Sequence, residues 1–285
     1  MTRRNKVQSH RHSLDEIRNI MNSMKTLAYM ETRKLSRFLD AQHAVVRSIE
    51  TVAADLLGFH PEILPETNQA TPVYIVIGSE RGFCGDFNRS LLKTMDSILS
   101  VDSPSQPMLI AVGRKLYTLM EADARMVSSI DGASVVEEVM ALLIKLVNEL
   151  TALQHKHGAL AVYCVYHDGE EGELIHELLP PFKSLRHNQQ RFSYPPLLNQ
   201  SPREFFVELT DHYLFAALHE MLYKSLMMEN QFRVTHLEGA VRHLDDESAE
   251  LQRQCNALRQ EEIIEEIEEI MLSASSLDDG SHIHK

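Results

Sequence analysis

The sequence predicts an α+α/β protein, in which an antiparallel coiled coil of long N- and C-terminal helices flanks a Rossmann-like α/β insert. Three observations carry that reading. The first 57 residues hold neither glycine nor proline; short apolar runs alternate with amphipathic stretches in the middle of the chain; and after Pro202 there is no further proline, with Gly239 the only glycine before Gly280. The expected organisation is a helix over 1–60, the α/β insert over 70–200, a second helix over 201–273 and a flexible tail over 274–285.

In the first helix Ile17, Met21, Met24, Ala28, Leu35, Phe38, Val45, Ile49, Val52 and Leu56 recur in three- and four-residue steps, interrupted at Glu31 and Gln42. A mean period of about 3.5 residues is that of a coiled-coil seam. Ser13 with Glu16 offers a capping box, with an earlier helix start as the alternative, and Gly58 and Pro61 form the stop. In the insert, residues 73–77, 108–112 and 159–165 are apolar runs suited to buried, parallel strands, and 173–179 reads as one more. Helices are expected over 89–99, 114–121 and 134–157, the last opened by Ser134 with Glu137 and closed by Gly158. Ser201-Pro202-Arg203-Glu204 places an N-cap serine, a first-turn proline and a third-position glutamate in order.

The helix that starts there runs to about 272, roughly 105 Å, against roughly 65 Å for its partner. Its far end therefore overshoots by roughly 40 Å and must be sheathed by another protein or stand in water. Leu244, Leu251, Leu258, Ile263, Ile267 and Ile270 continue along it as a stripe suited to contact.

The chain has 285 residues, 28 basic and 41 acidic, for a net charge of -13. No uncharged apolar stretch reaches the roughly 18 residues of a membrane span. Cys84, Cys164 and Cys255 form no CxxC pair, which leaves neither a disulfide framework nor a zinc site of usual spacing and fits a reducing, cytoplasmic setting. Residues 3–37 carry nine basic and three acidic residues, whereas from Asp245 onward there are twelve acidic and three basic. An Arg-rich start suggests a transit peptide, but Asp15 and Glu16 interrupt it and the helical pattern continues, so it reads as part of the mature protein. Opposite ends suit antiparallel pairing, although exposed ion pairs give only a few tenths of a kcal/mol each. The acidic balance argues against nucleic acid.

Glycines after the first strand, in Glu80-Arg81-Gly82-Phe83-Cys84-Gly85-Asp86-Phe87-Asn88, suggest a phosphate cradle. The segment lacks both GxGxxG and GxxxxGK[ST], and Glu80 and Asp86 would repel an anion, so no nucleotide or other cofactor is expected. It reads instead as a tight strand-to-helix turn in which Gly82 and Gly85 take conformations closed to other residues, with Asp86 or Asn88 near the helix N-terminus and Cys84 packed. His10 with His12, His155 with His157 and His282 with His284 are i, i+2 pairs that face apart on a helix, so no metal site is expected.

The segment Glu80 to Asn88 is similar to the "DRGLCGGLN" of the γ subunits of F-type ATP synthases. Ser23-Met24-Lys25-Thr26-Leu27-Ala28 with Arg33-Lys34 resembles that family's "AMxxVAxxKxRK". Asn256-Ala257-Leu258-Arg259-Gln260 with Ile263, Glu266, Glu269 and Ile270 resembles its closing "NxxRQxxIxxELxEI", and Glu229 with Arg233 fits "SEHxxRM". Departures are Glu80 for aspartate, Phe83 for leucine, Asp86 for glycine and Asp245-Asp246 for a "DNGG" stretch. They suggest a divergent lineage resembling the alternate F-type ATPases of some bacteria.

The resemblance implies a non-catalytic rotor at the cytoplasmic face of a bacterial inner membrane, peripheral to it through the complex. Its helices would turn inside the ring of alpha and beta subunits, and its insert would rest with the epsilon subunit on the membrane-embedded c-ring. It implies ring contacts at Met24, Arg33, Lys34, Arg259, Gln260 and Ile263, a motif turn at Arg81, Gly82, Cys84, Gly85 and Asn88, and a membrane-ring contact at Tyr194. From the residues alone, a small α/β ligand-binding enzyme or a coiled-coil adaptor, dimerised through the long helices, is the competing reading.

Overall fold

The structure, a computed structural model, describes residues 3–64, 70–99, 107–169, 171–183, 185 and 192–280, with backbone alone from 273 onward. Helix α1 spans Arg3–Phe59. The insert holds β1 (Thr71–Ile77), α2 (Phe87–Leu99), β2 (Met108–Val112), α3 (Arg114–Met120), β3 (Met126–Ile130), α4 (Val139–His157), β4 (Leu160–Asp168) and β5 (Gly172–Leu179), and α5 spans Pro202–Gly280. Strand order is β3-β2-β1-β4-β5. All neighbours are parallel except the last pair, in which β5 runs antiparallel to β4.

Residues of β1 point alternately to two faces. Val73, Ile75 and Ile77 meet Ile110, Leu143 and Leu146 and, from the long helices, Leu35, Leu56, Leu57, Leu218 and Leu222. Tyr74 and Val76 face the other side, with Phe87, Leu91, Met95, Leu109 and Leu116. Strand β3 was not expected. Its burial alternates, with Val127 and Ser129 exposed, as befits an edge strand with no apolar run to announce it.

The Ser201 cap forms as expected: its N–H and hydroxyl reach Glu204 Oε2 at 3.1 and 2.7 Å, and Glu204 N–H returns to Ser201 Oγ at 3.3 Å. Two other caps differ. Helix α1 is under way by Arg3, so Ser13 sits within it and donates to Ser9 O at 3.3 Å. Helix α4 begins at Val139 after a 3-10 turn over Val136–Glu138; the Ser134 N–H donates to Glu138 at 2.7 Å, while Glu137 pairs with Lys34.

The expected seam of α1 holds at Met21, Met24, Ala28, Leu35, Ile49 and Leu56, whereas Ile17, Phe38, Val45 and Val52 are 40–47% exposed. Among the covered positions one continuous row is Arg4, Val7, Arg11, Leu14, Arg18, Met21, Lys25, Ala28, Thr32, Leu35, Leu39, Gln42, Val46, Ile49, Ala53 and Leu56. Those fall in strict three- and four-residue steps, with a basic side chain at every seventh place near the start. The two apparent interruptions are functional parts of the packing. Gln42 donates to Ala216 O at 2.9 Å, and Glu31 accepts from the Val136 N–H at 3.4 Å.

Contacts divide the chain into two units, Leu27–His236 and Met1–Thr26 with Leu237–Lys285. In the second of these the helices run antiparallel. Arg4 meets Glu262 at 3.2 Å, Arg11 donates to Gln252, Ser248 donates to Asp15 at 3.2 Å and Arg18 pairs with Asp245. Past Glu262, α5 continues to Gly280, about 27 Å of helix. That is shorter than the expected overshoot because α1 starts near the chain's beginning. The helix also passes the expected boundary at 273, so part of the expected tail is helical, and residues 281–285, including His282 and His284, lie outside the described residues. Among the described residues no helix is long and apolar enough to cross a membrane.

Burial holds His167, His176 and His219 below the ordinary histidine value of 6.5. The unfolded chain accepts protons that these sites refuse, so stability is complete above that value and declines as pH falls through it. A urea midpoint lower at about pH 5.5 than at about pH 7.5, with a smaller difference in His167→Gln, is the expected result. Equal midpoints in the parent chain would contradict it.

Candidate functional site

The turn between β1 and α2 is fixed from both sides. A side chain at Gly78 would place Cβ 2.5 Å from Leu116 Cβ and 2.7 Å from Asn88 Oδ1. Asn88 takes that space, accepting the Ser79 N–H at 2.9 Å and donating to Ser79 Oγ at 2.8 Å. Glu80 turns inward: Oε2 accepts the N–H groups of Arg114 and Gly132 at 2.9 and 2.8 Å, and Oε1 lies 3.3 Å from the Arg114 guanidinium. The first amide of α3 is thus filled by the chain's own carboxylate, and the second, Lys115 N–H, donates to Ser79 O at 3.1 Å.

The outer half of the turn is gripped by α5. Glu229 accepts the N–H groups of Glu80 and Arg81 at 3.3 and 3.2 Å. Arg233 donates Nε to Gly82 O at 3.2 Å, Nη1 to Asn230 Oδ1 at 2.7 Å and Nη2 to Cys84 Sγ at 3.2 Å, and it pairs with Glu229. Both charged side chains are buried, at 3% and 4% exposure. Burial pushes the Glu229 carboxyl upward, against the opposing pull of Arg233. Arg81 Nε donates to Ser134 Oγ at 2.9 Å, which gives Ser134 a use other than the expected cap. Burial also pushes the Cys84 thiol up to about 12, so it stays protonated and packed rather than nucleophilic.

The backbone corrects one expectation. Gly85 is left-handed at φ 59°, but its companion is Phe83 at φ 64°, not Gly82. A Cβ at Gly82 would meet only Lys115 Cε at 3.8 Å. Gly82→Ala is therefore expected to change the unfolding free energy by no more than about 0.5 kcal/mol, read by urea titration; a loss of several times that would restore a special role to Gly82. Glu229 and Arg233 were recognisable in the sequence as oppositely charged neighbours at i, i+4, but nothing there announced their burial.

The six expected ring-contact residues do not form one cluster. Arg33 and Lys34 belong to the unit Leu27–His236, the other four to the unit containing both chain ends. Arg33 is exposed, with its guanidinium carbon 5.3 Å from the centre of the Tyr29 ring. Lys34, expected as a ring contact, is engaged by Glu137, whose hydrogen bond raises its pKa, so its charge is partly neutralised within the chain. In the other unit Met24 is half-buried, Arg259 and Gln260 are exposed and Ile263 is 45% exposed. The pairing of Arg18 with Asp245 and of Arg4 with Glu262 places Met24 at the opposite end of that unit from Arg259 to Ile263. Tyr194 is exposed beside an exposed Leu197. Among the described residues no group of three or more His, Cys, Asp or Glu side chains is disposed to hold a metal ion.

A family model described as ATP synthase matches residues 4–277. The chain is 26% identical over 279 residues to the ATP synthase gamma chain of Ruminococcus albus, covering 94% of this chain and 96% of that one. It is 22% identical over 287 residues to the gamma chain of Caldanaerobacter subterraneus subsp. tengcongensis, covering 92% and 96%. Among solved structures, a chain of the Euglena gracilis mitochondrial ATP synthase (OSCP/F1/c-ring, rotational state 3) aligns with a TM-score of 0.64 at 15% identity, over 99% of this chain and 97% of that one. A chain of the Tetrahymena thermophila mitochondrial ATP synthase central stalk and c-ring aligns with a TM-score of 0.56 at 16% identity, over 78% and 99%. At such identities the structures bear on the fold.

Proposed function

Because the chain belongs to the ATP synthase family, with gamma chains as its relatives, we propose that it is the non-catalytic central-stalk rotor of an F-type ATP synthase or ion-translocating ATPase. The observation that carries this is the family match over residues 4–277, which takes in both long helices and the insert together. Catalysis belongs to partner subunits. The rotor contacts the alpha and beta subunits of the ring, the epsilon subunit and the c-ring, and is peripheral to the membrane, at the cytoplasmic face of a bacterial inner membrane.

Its action is mechanical. A one-sided shaft gives each catalytic site a different neighbour, and turning it redistributes nucleotide affinity among them through differential contact. Two surfaces support the reading. Beyond Glu262, α5 exposes Ile263, Ile264, Ile267, Ile270, Met271 and Leu272 at 45–70%, an apolar surface that a surrounding ring would cover. Arg259 and Gln260 are the proposed hydrogen-bonding contact there, guanidinium geometry suiting bidentate carboxylate pairing; Met24 and Arg33 also meet the ring, Lys34 does so after exchanging Glu137 for a ring carboxylate, and Tyr194 meets the c-ring.

The test is reconstitution. Purified alpha and beta subunits assembled with this chain should hydrolyse ATP and, with the membrane sector, move ions; coupled rotation in its absence would overturn the assignment. Arg259→Ala with Gln260→Ala should reduce ATP-driven ion transport several-fold while the melting temperature of the free chain is unchanged, since both side chains are exposed. Undiminished transport would remove them from the contact.

A further inference from the structure

We propose that the buried Glu229–Arg233 pair, closed on the backbone of the turn Glu80–Cys84, is the torque joint that fixes the α/β insert to helix α5. The inference rests on the rotor reading and adds to it the side chains through which twist passes between insert and shaft.

The joint differs in kind from the surrounding core. Apolar packing between the sheet and the helices is non-directional and resists rotation only through interlocking side chains. The grip is directional. Glu229 holds two consecutive turn N–H groups, Arg233 holds Gly82 O and Cys84 Sγ, and the pair holds itself along one turn of helix. Contacts thus reach the turn from two side chains at different heights on α5 and oppose both sliding and twisting. On its other side the turn is not loose. Glu80 ties it to α3 and to Gly132, and Asn88 ties it to α2. Force entering the sheet reaches α5 through a continuous set of hydrogen bonds that contains no exposed, solvent-exchangeable link at Glu229 or Arg233. Their burial has a purpose that stability alone does not explain, because a hydrophobic pair of similar volume often packs as well or better.

Arg233→Lys keeps the charge opposite Glu229 but cannot fork to Gly82 and Cys84. Glu229→Gln with Arg233→Met leaves no buried charge and serves if the lysine variant folds poorly. The assembled complex, in a Cys255→Ser background, carries a rotation probe at one of two exposed sites: Lys145→Cys on the insert or Asp211→Cys on α5. The expected result is a several-fold drop in torsional stiffness measured through the insert, with stiffness and rotation rate through the α5 probe unchanged. Unchanged stiffness through the insert overturns the joint, as does equal softening at both probes, which marks general loosening of the fold. Failure of the unmodified complex to rotate with either probe would instead overturn the rotor reading itself.

Discussion

Arg233→Ala should lower the unfolding free energy of the free chain by about 3–5 kcal/mol, the range for removing one partner of a buried ion pair. The substitution strands Glu229, which is 3% exposed, without its counter-charge, and it takes the donors from Gly82 O, Asn230 Oδ1 and Cys84 Sγ. The remaining acceptor bonds from Glu80 and Arg81 at 3.3 and 3.2 Å cannot replace a guanidinium. Glu229→Gln in the same chain should recover much of the loss, because the amide carbonyl still accepts and no charge remains buried. Denaturant titration of the two variants and the parent reads both effects. A loss below about 1 kcal/mol for the single variant would mean that water reaches the site and that the pair is ordinary surface chemistry.

Gly113→Ala should cost about 2–5 kcal/mol, from strain and overpacking together. Gly113 sits at φ 104°, and a Cβ there would stand 2.7 Å from the carbonyl oxygens of both Gly78 and Ser79 and 2.9 Å from Ser79 C. These are backbone atoms of the strand end that carries the turn, and they cannot swing aside as a flexible side chain would. Gly158→Ala is the control, since Gly158 also has positive φ, at 82°, but a Cβ there meets nothing within 4 Å. It should cost only about 1 kcal/mol. Equal losses at the two sites would show that φ alone, and not the approach of the β1 and β2 ends, sets the requirement at Gly113.

Much of the architecture was legible because glycine and proline are scarce where the long helices run and cluster where they do not. The parallel strands were legible as apolar runs, since both of their faces are covered. What escaped has identifiable causes. Strand β3, with two serines and one open face, offers no apolar run, only alternation. The helix seam was read only in part because the reading sought apolar side chains, whereas the packed positions include Arg4, Arg11 and Arg18, which reach across to Glu262, Gln252 and Asp245. Long basic side chains can lie along a seam with their stems covered and their heads at the edge. Ile17 and Val45, more apolar, stand one position off it.

At the candidate site the residues of the turn were legible as a motif but not their mutual roles. Cys84, Gly85 and Asn88 behave as a strand-to-helix turn requires. The freedom assigned to Gly82 belongs to Phe83, for which no propensity argument would have volunteered a left-handed aromatic residue. Glu80 looked like an obstacle to an anion and proves to be a cap for α3. Lys34, expected as a contact to another subunit, has a partner within the chain more than a hundred residues away in sequence. The roles of Glu80 and Lys34 depend on contacts distant along the chain, which local spacing does not encode.

The reversal of β5 against β4 decides where the chain re-emerges from the sheet. Four strands run one way, and a chain leaving after the fourth would finish at the pole opposite the one it entered, needing a strap across the whole layer to return. The β4–β5 hairpin makes that return inside the sheet. Entrance and exit therefore share a pole, and the helix segments on either side of the insert, with Leu56 and Leu57 before it and Leu218 and Leu222 after it, pack into the core on one face of the sheet. The far pole is where the Glu80–Cys84 turn meets Glu229 and Arg233, so a change of length there acts on the grip of α5 and not on a free end.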